Sequence, residues 1–382
     1  MRNKQILAVP GPTPVPPEAR LAMARPMINH RGSEYAALQR EVVEGLQYAF
    51  QTKGDVLIFP ASGTGGLEAA LVNVLSPGDR VLSASMGAFG DRFADIAAAH
   101  GAQVERLTVE WGRAIDPEAL RARLAADRDH TIRAVLLTHN ETSTGVTNDI
   151  RALAAVVREH GALVLVDSIS GLLAADLRTD EWGLDVVVAG SQKAFMIPPG
   201  MTFVTVSDRA WAAHKEARMA RYYFDFSAMR KYMEKDQTPY TPAVSLLYGL
   251  QATLRLIREE GLEAGFARHA RLGTAVRAAA RALGLRLLAD PDYASPAVTA
   301  IFAPEGTDPK TLRQHLRQRY NVVLAGGQGK LAETIFRIGH LGYVGEHEVI
   351  AVLSALERGL AELGIAVTPG VAVAAAQQVL AE

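Results

Sequence analysis

Short apolar runs alternate with stretches of helical periodicity up to about residue 210 of the chain. Seven runs rich in Val, Ile and Leu predict buried strands, at Val56–Phe59, Val81–Ser83, Val104–Leu107, Ala134–Thr138, Ala162–Val166, Val186–Ala189 and Thr202–Val206. Four stretches between them predict helices, at Leu67–Leu75, Phe89–Ala99, Pro117–Ala126 and Ile150–His160. The alternation indicates βαβ units and therefore an α/β fold, with a mixed, mostly parallel seven-stranded sheet that has helices on both faces.

Two segments depart from this alternation. The step from Ala189 to Thr202 is too short for a helical crossover, so we expect these neighbouring strands to run antiparallel at a mixed edge of the sheet. Five prolines exclude a regular element from the N-terminal arm, at Pro10, Pro12, Pro14, Pro16 and Pro17. We expect this arm to lie along another surface of the protein.

The alternation of strand and helix patterns ends after Pro242. Two long helical patterns precede sparser strands and two further helices, in the order Val244–Glu260, Leu262–Ala282, Leu285–Leu288, Val298–Phe302, Pro309–Arg319, Asn321–Leu324, Ile335–Ile338 and Glu346–Leu363. We therefore divide the chain into an N-terminal arm (1–20), a large domain (21–255), a smaller C-terminal α+β domain (256–366) and a tail (367–382). The Ala-rich tail is either a docked helix or a frayed end.

Composition narrows the possible functions. The 382 residues include no cysteine, which excludes disulfide scaffolds, cysteine-ligated metal sites and thiol nucleophiles. Lys plus Arg (40) nearly balance Asp plus Glu (41), so we expect a small-molecule partner and no nucleic acid. No apolar run approaches the roughly 18 to 20 residues of a membrane span, and the proline-broken start is unlike a signal peptide. We expect a cytoplasmic protein with neither a membrane partner nor a bound metal.

A glycine-rich turn, Ser62–Gly66, follows the first predicted strand and opens a helix. Its backbone N–H groups and two hydroxyls would favour a phosphate, although such turns also occur for structural reasons alone. A dinucleotide fingerprint fails because Glu68 replaces the third glycine of GxGxxG. An NTPase P-loop fails because Leu331 follows the Gly329-Lys330 pair.

Polar residues follow two of the predicted strands. Asp167 ends a very apolar strand, where it either caps a helix, pairs with a cation, or holds its charge against a protonated ring nitrogen. The cluster Thr138–Gly145 follows another strand, and we expect it to line a cleft.

Three basic residues stand out. The chain has 32 arginines but only 8 lysines, and Lys193 is the sole lysine between Lys53 and Lys215. It is either a surface lysine or a desolvated amine that forms a Schiff base. Arg337, within an apolar strand pattern, either makes an internal ion pair or awaits an anionic substrate group. Arg31, in His30-Arg31-Gly32, is a second anion contact or part of a solvated loop.

Taken together, these motifs resemble the class V family of pyridoxal-phosphate (PLP) aminotransferases, with fold-type I architecture. The resemblance extends over nearly the whole chain, through VPGPTPVP, HRGSEY, SGTGGLEA, LSPGDRVL, HNETSTGV, VDSIS, AGSQKAF, PPG and FRIGHLG. Within the class the chain is most similar to alanine–glyoxylate and serine–glyoxylate (serine–pyruvate) aminotransferases. That group has bacterial members once labelled as the small subunit of a soluble hydrogenase.

The resemblance implies a role for each matching residue. Lys193 would form the internal aldimine and shuttle the substrate Cα proton, while Asp167 would keep the pyridine nitrogen protonated. The remaining cofactor contacts would be Thr64, Gly65 and Gly66 in the phosphate cup, Gln192 beside Lys193, Phe89 and Ile169 on the two ring faces, and Thr142 near the 3′ oxygen. Arg337 would bind the substrate α-carboxylate. Phe89 stands where the family often has Trp.

The segment Thr238-Pro239-Tyr240-Thr241-Pro242 resembles the one that reaches the phosphate of the neighbouring subunit, so a homodimer with shared active sites is implied. Either Thr238 or Thr241 would make that contact. Substrate contacts are implied for Gly11, Tyr240 and Arg31. His30-Arg31 also resembles the pair that phosphoserine aminotransferases use for the substrate phosphate.

The implied function is transfer of an amino group from alanine or serine to glyoxylate or pyruvate, with PLP as the cofactor. Phosphoserine or aspartate as donor is the alternative within transaminases, because Arg31 could meet a second anion. A non-catalytic regulatory homologue and a dinucleotide oxidoreductase are alternatives of other classes. A cysteine desulfurase is excluded by the missing cysteine.

Overall fold

The computed structural model describes residues 5–382, beginning with a strand, Ile6–Ala8 (β1), that the sequence analysis did not predict. The prolines from Pro10 to Pro16 form no regular element, as expected, but Pro17 begins a helix, Pro17–Met23 (α1). Proline is well accommodated there because the first helical N–H has no intrahelical partner. A longer helix, Ser33–Phe50 (α2), follows. The expectation that the arm contains no regular element is therefore wrong at both of its ends.

All seven strands predicted for the large domain are present. In chain order its strands are Asp55–Phe59 (β2), Arg80–Ser85 (β3), Gln103–Thr108 (β4), Ile132–Thr138 (β5), Asn140–Glu141 (β6), Val146–Thr147 (β7), Leu163–Asp167 (β8), Val186–Gly190 (β9) and Thr202–Val206 (β10). The main sheet has the order β2-β10-β9-β8-β5-β3-β4, while β6 and β7 pair only with each other. The predicted mostly parallel α/β architecture is confirmed.

Strand β10 runs antiparallel to its neighbour β9, as the short connection required. It does not lie at the edge of the sheet, however, because β2 pairs along its other side, also antiparallel. Thr202 is thus opposite both Gly190 and Phe59. The predicted mixed edge is corrected to an antiparallel strand one position inside the sheet.

Seven helices accompany this sheet, Gly63–Val74 (α3), Ala88–Ala99 (α4), Pro117–Ala125 (α5), Ile150–His160 (α6), Asp208–Glu216 (α7), Phe226–Met233 (α8) and Val244–Glu260 (α9). Side chains of one strand alternate between the two faces. Val56 and Ile58 pack in the apolar cluster with α2, α6 and α9, whereas Leu57 and Phe59 pack in the cluster with α3, α4 and α8. Both faces of the sheet are therefore covered.

The C-terminal part has its own sheet. Its elements are Leu262–Ala282 (α10), Val298–Phe302 (β11), Pro309–Tyr320 (α11), Val322–Gly326 (β12), Ile335–Gly339 (β13), Glu346–Glu362 (α12) and Val371–Leu380 (α13), with short 3₁₀ turns at Pro291–Tyr293 and Gly329–Leu331. The strand order is β1-β12-β13-β11, so the fourth strand comes from the N-terminal arm, which pairs in parallel with β12.

The predicted strand Leu285–Leu288 is wrong. Only Leu287 makes a bridge, to Ile301, and the chain then turns away into the helical turn that starts at Pro291. The Asp290 N–H bonds to the Gly112 carbonyl, so the chain has left β11 by that residue and the contact is limited to a single bridge.

The Ala-rich tail is a docked helix rather than a frayed end. Ala372 and Ala376 of α13 are fully buried in the small-domain core. Glu357 of α12 accepts hydrogen bonds from the Gly370 and Ala372 N–H groups at the start of α13. No helix within residues 5–382 is long and apolar enough to cross a membrane. The domain boundaries given above stay predictions.

Two buried histidines are neutral. His340 donates through Nδ1 to the Pro296 carbonyl and accepts at Nε2 from Thr299, and burial lowers its pKa to about 3. His269 accepts at Nε2 from the Gly342 N–H, and burial lowers its pKa to about 4.

These histidines predict a loss of stability in acid. Below pH ~6.5 these histidines are protonated in the unfolded chain but not in the folded chain. Each histidine therefore lowers the free energy of unfolding by up to ~1.4 kcal/mol for every pH unit as the pH drops towards 4. Urea unfolding of wild type and His340→Gln at several pH values measures the slope. The variant should show the shallower dependence; an identical slope in both proteins would contradict the neutral assignment of His340.

Candidate active site

The residues singled out by sequence follow neighbouring strands of the main sheet. Thr138 ends β5, Asp167 ends β8 and Gly190 ends β9, and these three parallel strands are adjacent. Their carboxyl ends meet at one edge of the sheet, where open α/β folds bind ligands. The polar cluster after Thr138, Asp167 and the turn containing Lys193 therefore converge.

Lys193 is held in an enclosed position. Its Nζ donates to the Pro10 carbonyl at 2.5 Å. Burial lowers the pKa of Lys193 to about 8, helped by the nearby Arg337 cation and opposed by Asp167. Near neutral pH a sizeable fraction of this amine is unprotonated and nucleophilic. Lys193 is thus not a surface lysine.

The N-terminal arm covers Lys193. Thr13 donates from its N–H to the Gln192 carbonyl at 3.0 Å and from its hydroxyl to the Lys193 carbonyl at 2.8 Å. Gly11 has φ +123°, and a Cβ added to it would lie 2.6 Å from Lys193 Nζ. Gly11, predicted as a substrate contact, therefore lies against the lysine amine in this structure.

Asp167 is buried without a cationic partner among the described residues. Its Oδ1 accepts from the Ile169 N–H at 2.9 Å, and no helix begins there. Burial raises the pKa of Asp167 to about 7, with a further increase from Glu141, whereas Lys193 and Arg92 lower it. A carboxylate in this position is stabilised by a positively charged N–H group placed against it. The structure favours the ring-nitrogen alternative over a helix cap or an ion pair.

The glycine-rich turn forms the N-terminus of α3. The Gly65 and Gly66 N–H groups bond to the Ser62 carbonyl, and Thr64 is half-buried in the first turn. A Cβ on Gly66 would lie 2.2 Å from Thr202 Oγ1, and one on Gly63 would lie 2.5 Å from Ile169 Cδ1. The glycines are therefore required for packing, and the same turn presents free helix N–H groups to an anion.

Gln192 and Ile169 complete this side of the site. Gln192 Oε1 is buried and has no hydrogen-bond partner among the described residues. Ile169 Cγ2 would lie 3.3 Å from a Cβ on Gly190. An unpartnered buried acceptor of this kind costs free energy unless a ligand supplies a donor.

The other half of the site is built from α4, the polar cluster Thr138–Gly145 and the small domain. Phe89 lies half-buried in the first turn of α4, with the Arg92 guanidinium 4.9 Å from its ring centre. The Thr142 hydroxyl bonds to Ser170 Oγ at 2.7 Å. The Thr142 carbonyl accepts from Arg337 Nη1, also at 2.7 Å.

Arg337 has no acidic partner within the described residues. It is buried and donates only to carbonyls, through Nη1 to Thr142 and through Nε to Gly326 at 2.7 Å. Burial lowers its pKa to about 10, so it remains a cation at neutral pH. Of the two alternatives, the structure excludes the internal ion pair and leaves a positioned guanidinium for an anion.

Four of the predicted residues form a separate group. Arg31 is exposed and donates to the carbonyls of Thr238 and Pro239, so it holds this segment in place. Thr238 is buried, and its hydroxyl donates to the Tyr240 carbonyl at 2.7 Å. The half-buried Tyr240 ring stacks on that of the exposed Tyr223, and Thr241 is exposed. None of the recorded bonds of this group involves Lys193, Asp167 or Arg337.

The sequence analysis missed two contributors. Thr13 ties the arm to the Lys193 turn, and its position between prolines gave no signal of that contact. Glu141 is fully buried and accepts hydrogen bonds from the first turn of α4. It lies within the cluster expected to line a cleft, but a glutamate in a polar run is usually solvated.

Comparison with known proteins identifies the family. Residues 19–339 match the family model described as aminotransferase class-V. The chain belongs to this family. The resemblance inferred from the motifs is therefore confirmed, and this class V aminotransferase is an enzyme that uses PLP. The non-catalytic and dinucleotide-dependent alternatives are set aside.

Three curated relatives align with nearly the whole aminotransferase chain. A protein of Synechococcus sp. (strain PCC 6716) named as the small subunit of a soluble hydrogenase is 46% identical, covering 100% of this chain and 99% of its own. The L-aspartate–glyoxylate aminotransferase of Paracoccus denitrificans is 41% identical, over 99% and 96%. The serine–glyoxylate aminotransferase of Methylorubrum extorquens is 40% identical, over 98% and 96%.

A solved structure shares the fold. Ureidoglycine–glyoxylate aminotransferase from Bacillus subtilis superimposes with a TM-score of 0.95 at 31% identity, covering 100% of this chain and 99% of that one. The residues described above also fit PLP as a group. Among the described residues Asp167 has no cationic partner and Gln192 Oε1 has no hydrogen-bond donor, and the first turn of α3 offers N–H groups to an anion.

The enclosure of Lys193 by the arm predicts a specific defect for Gly11→Ala. The new methyl group would overlap Lys193 Nζ and displace the arm, so the protein should retain PLP at least tenfold more weakly. Gly261→Ala is the matched control, since Gly261 also has positive φ (+81°) but open space around its Cβ position. Both variants should lose roughly 1 kcal/mol of stability. Cofactor retention after dialysis, measured by visible absorption, should fall only in Gly11→Ala; equal retention in the two variants would contradict the role of Gly11.

Proposed function

We propose that this aminotransferase transfers the amino group of alanine or serine to glyoxylate or pyruvate, with PLP linked covalently to Lys193. One observation carries the assignment of the site: the amine of Lys193 donates to the Pro10 carbonyl of the arm, and its pKa is lowered to about 8 by burial and by the Arg337 cation, with Asp167 acting in the opposite direction. The serine–glyoxylate name of a relative 40% identical over almost the full chain supports the substrate class.

The residues around Lys193 have distinct parts in holding the cofactor. Bound there, PLP supplies a carbonyl carbon that accepts an amine and a ring that takes up the electron pair left at the substrate Cα. Asp167 would accept a hydrogen bond from the protonated ring nitrogen. Thr64 would present its N–H and hydroxyl to the phosphate, while Gly65 and Gly66, whose N–H groups bond to the Ser62 carbonyl, would let the phosphate approach the turn closely. Gln192 would accept a hydrogen bond from the cofactor or a bound water.

The two ring faces and the 3′ oxygen have their own contacts. Phe89 would cover one face and Ile169 the other. Thr142, whose hydroxyl is already oriented by Ser170, would meet the 3′ oxygen. Such contacts would hold the ring plane relative to the substrate Cα, and orientation of this kind contributes several kcal/mol to catalysis.

Proton transfer is assigned to Lys193 and substrate orientation to Arg337. Arg337 binds the α-carboxylate that every amino acid and 2-oxo acid shares, using the guanidinium edge that its two carbonyl contacts leave open. Lys193 Nζ would take the proton from the substrate Cα and return a proton to the cofactor–substrate system. Its lowered pKa suits both the acceptance and the release of that proton.

Aspartate as the amino donor is the second candidate. It is favoured by the L-aspartate–glyoxylate aminotransferase that is 41% identical to this chain. Its second carboxylate needs a cation, and Arg31, considered for that purpose, already donates to Thr238 and Pro239. Phosphoserine has weaker support, because a phosphoserine aminotransferase among the solved structures is only 20% identical and shares the fold alone.

A homodimer with shared active sites is part of the proposal. Large apolar side chains are exposed at Leu21 (75%) and Tyr222 (80%), and the Tyr222 ring lies 5.9 Å from that of Tyr240. Exposed large apolar and aromatic side chains are typical of subunit interfaces. Thr241 is exposed, whereas Thr238 is buried and bonded within its own chain, so Thr241 is the better candidate for the partner's phosphate. The cytoplasmic location remains a prediction.

A half-reaction screen tests the function. Purified PLP-loaded protein should absorb visible light, and one equivalent of alanine or serine should bleach that band as the amino group passes to the cofactor. Glyoxylate or pyruvate should restore it faster than 2-oxoglutarate does. Lys193→Ala should lose the band and all turnover, while the exposed Lys215→Ala should behave as wild type.

The outcomes separate the candidates. Bleaching by aspartate at a higher rate than by alanine or serine would replace the leading substrate assignment with the second candidate. A wild-type protein that shows no visible band with added PLP would overturn the assignment of the cofactor site.

Subunit mixing tests the shared site. Thr241→Ala should weaken PLP binding roughly 10- to 100-fold, the loss of one hydrogen bond to a charged group, whereas Thr238→Ala should not. Lys193→Ala subunits are inactive alone. Mixed with Thr241→Ala subunits, they should form heterodimers in which one site has both Lys193 and the partner's Thr241, and activity should recover. Heterodimers that form without any gain in activity would count against a shared site.

A further inference from the structure

The cap turn, Glu141-Thr142-Ser143, contains a buried carboxylate that the chemistry proposed above does not use. Glu141 is fully buried. Its Oε2 accepts from the Phe89 and Gly90 N–H groups, both at 3.1 Å, and its Oε1 accepts from the N–H and the hydroxyl of Ser143, at 3.0 and 2.6 Å. All four recorded partners donate. Burial raises the pKa of Glu141, whereas the four donated hydrogen bonds act in the opposite direction and favour its ionised form.

Glu141 caps a helix from outside that helix. Gly87, at the N-cap of α4, provides no side-chain cap, and a Cβ there would lie 2.4 Å from Glu141 Cδ. The Ala88 N–H bonds instead to Ser143 Oγ at 3.0 Å. The cap turn thus satisfies the first three N–H groups of α4, which is the turn that carries Phe89. Negative charge at this end also interacts favourably with the helix dipole.

The same turn holds the cation of the small domain. Arg337 Nη1 donates to the Thr142 carbonyl, and the Thr142 hydroxyl is fixed by Ser170. A displacement of the cap turn would therefore move Phe89 and Arg337 together. These are the residues assigned above to one ring face and to the substrate carboxylate.

We propose that Glu141 is a positioning residue of the transaminase site. Its ionised carboxylate holds Phe89 and Arg337 in fixed positions relative to each other and contributes negative charge near Asp167 and Arg337. This inference rests on the proposed function. It adds a residue that itself touches neither cofactor nor substrate.

The charge of Glu141 reaches both ionisable neighbours. It raises the pKa of Asp167, on which Lys193 and Arg92 act in the opposite direction. It also raises the pKa of Arg337, against burial and the nearby Arg313 cation. Loss of this charge should shift the titration of the loaded site towards lower pH, an effect that a loss of packing alone would not produce.

The chain offers a matched control for Glu141→Gln. Glu357 is also a buried glutamate that accepts backbone N–H groups at the start of another helix, α13, in the small domain. Glu357→Gln therefore removes a cap of the same kind away from the site. Both variants, loaded with PLP, should lose stability in urea by comparable amounts.

Only Glu141→Gln should change the site. We expect the pH midpoint of its visible band to fall by at least ~0.5 unit, an amount consistent with the loss of one nearby charge. The visible circular dichroism of the bound cofactor should change because the Phe89 ring moves. We expect kcat to fall at least tenfold, with alanine and serine affected alike.

Identical midpoints and dichroism in Glu141→Gln, Glu357→Gln and wild type would overturn the proposal. If Glu141→Gln does not fold, Ser143→Ala decides, because it removes one hydrogen bond to Glu141 and one to α4 and should cause smaller changes of the same sign. A Ser143→Ala protein with unchanged midpoint and dichroism would then be the negative result. Failure of the proposed function is distinguishable, since it would appear as a wild-type protein without a visible band or half-reaction.

Discussion

Two buried groups that have no ion-pair partner among the described residues, a carboxyl and a guanidinium, dominate this structure. Asp167 and Arg337 lie on different domains, and both make their hydrogen bonds to backbone groups. Burying an ionised group without a partner costs several kcal/mol, and groups of this kind cluster at functional sites. The fold maintains this imbalance by placing both groups beside Lys193. A cationic ring on one side and an anionic carboxylate on the other would neutralise the pair.

The N-terminal arm connects Lys193 of the large domain to the sheet of the small domain. Ile6–Ala8 is a strand of the small-domain sheet, while Pro10 and Thr13, only a few residues later, contact the turn that contains Lys193. A Cβ on Gly339 of the same sheet would lie 2.3 Å from the Val9 backbone, so the arm is also packed closely against β13. Movement of the small domain relative to the large one would therefore displace the arm that contacts the Lys193 amine.

Local patterns in the sequence predicted much of this arrangement. The seven strands of the main sheet were visible because each is a continuous apolar run, and Lys193 and Asp167 stood out because each follows such a run. The position of β10 inside the sheet was not predictable, since it depends on pairing with a strand about 145 residues earlier. In the small sheet the predicted strand Leu285–Leu288 is absent and the unpredicted strand Ile6–Ala8 is present, again because strand pairing joins residues far apart in the sequence. A three-residue strand carries almost no periodicity of its own.

The site was predicted less completely than the fold for a related reason. Motif resemblance predicted which residues would contact the cofactor, but it did not reveal the contacts between those residues. Arg31 bonds to backbone carbonyls some two hundred positions away, and Glu141 becomes a buried cap only once α4 packs against it. Neither contact can be predicted from the residues adjacent to it in the sequence.

The parallel pairing of Ile6–Ala8 with Val322–Leu324 also has a consequence for synthesis on the ribosome. The strand Ile6–Ala8 is translated more than three hundred residues before its partner. This edge of the small sheet cannot form until residue 322 has been translated, and the arm has no sheet to anchor it before then. The segment that covers Lys193 therefore gains its anchor in the small-domain sheet only after Lys193 itself has been translated.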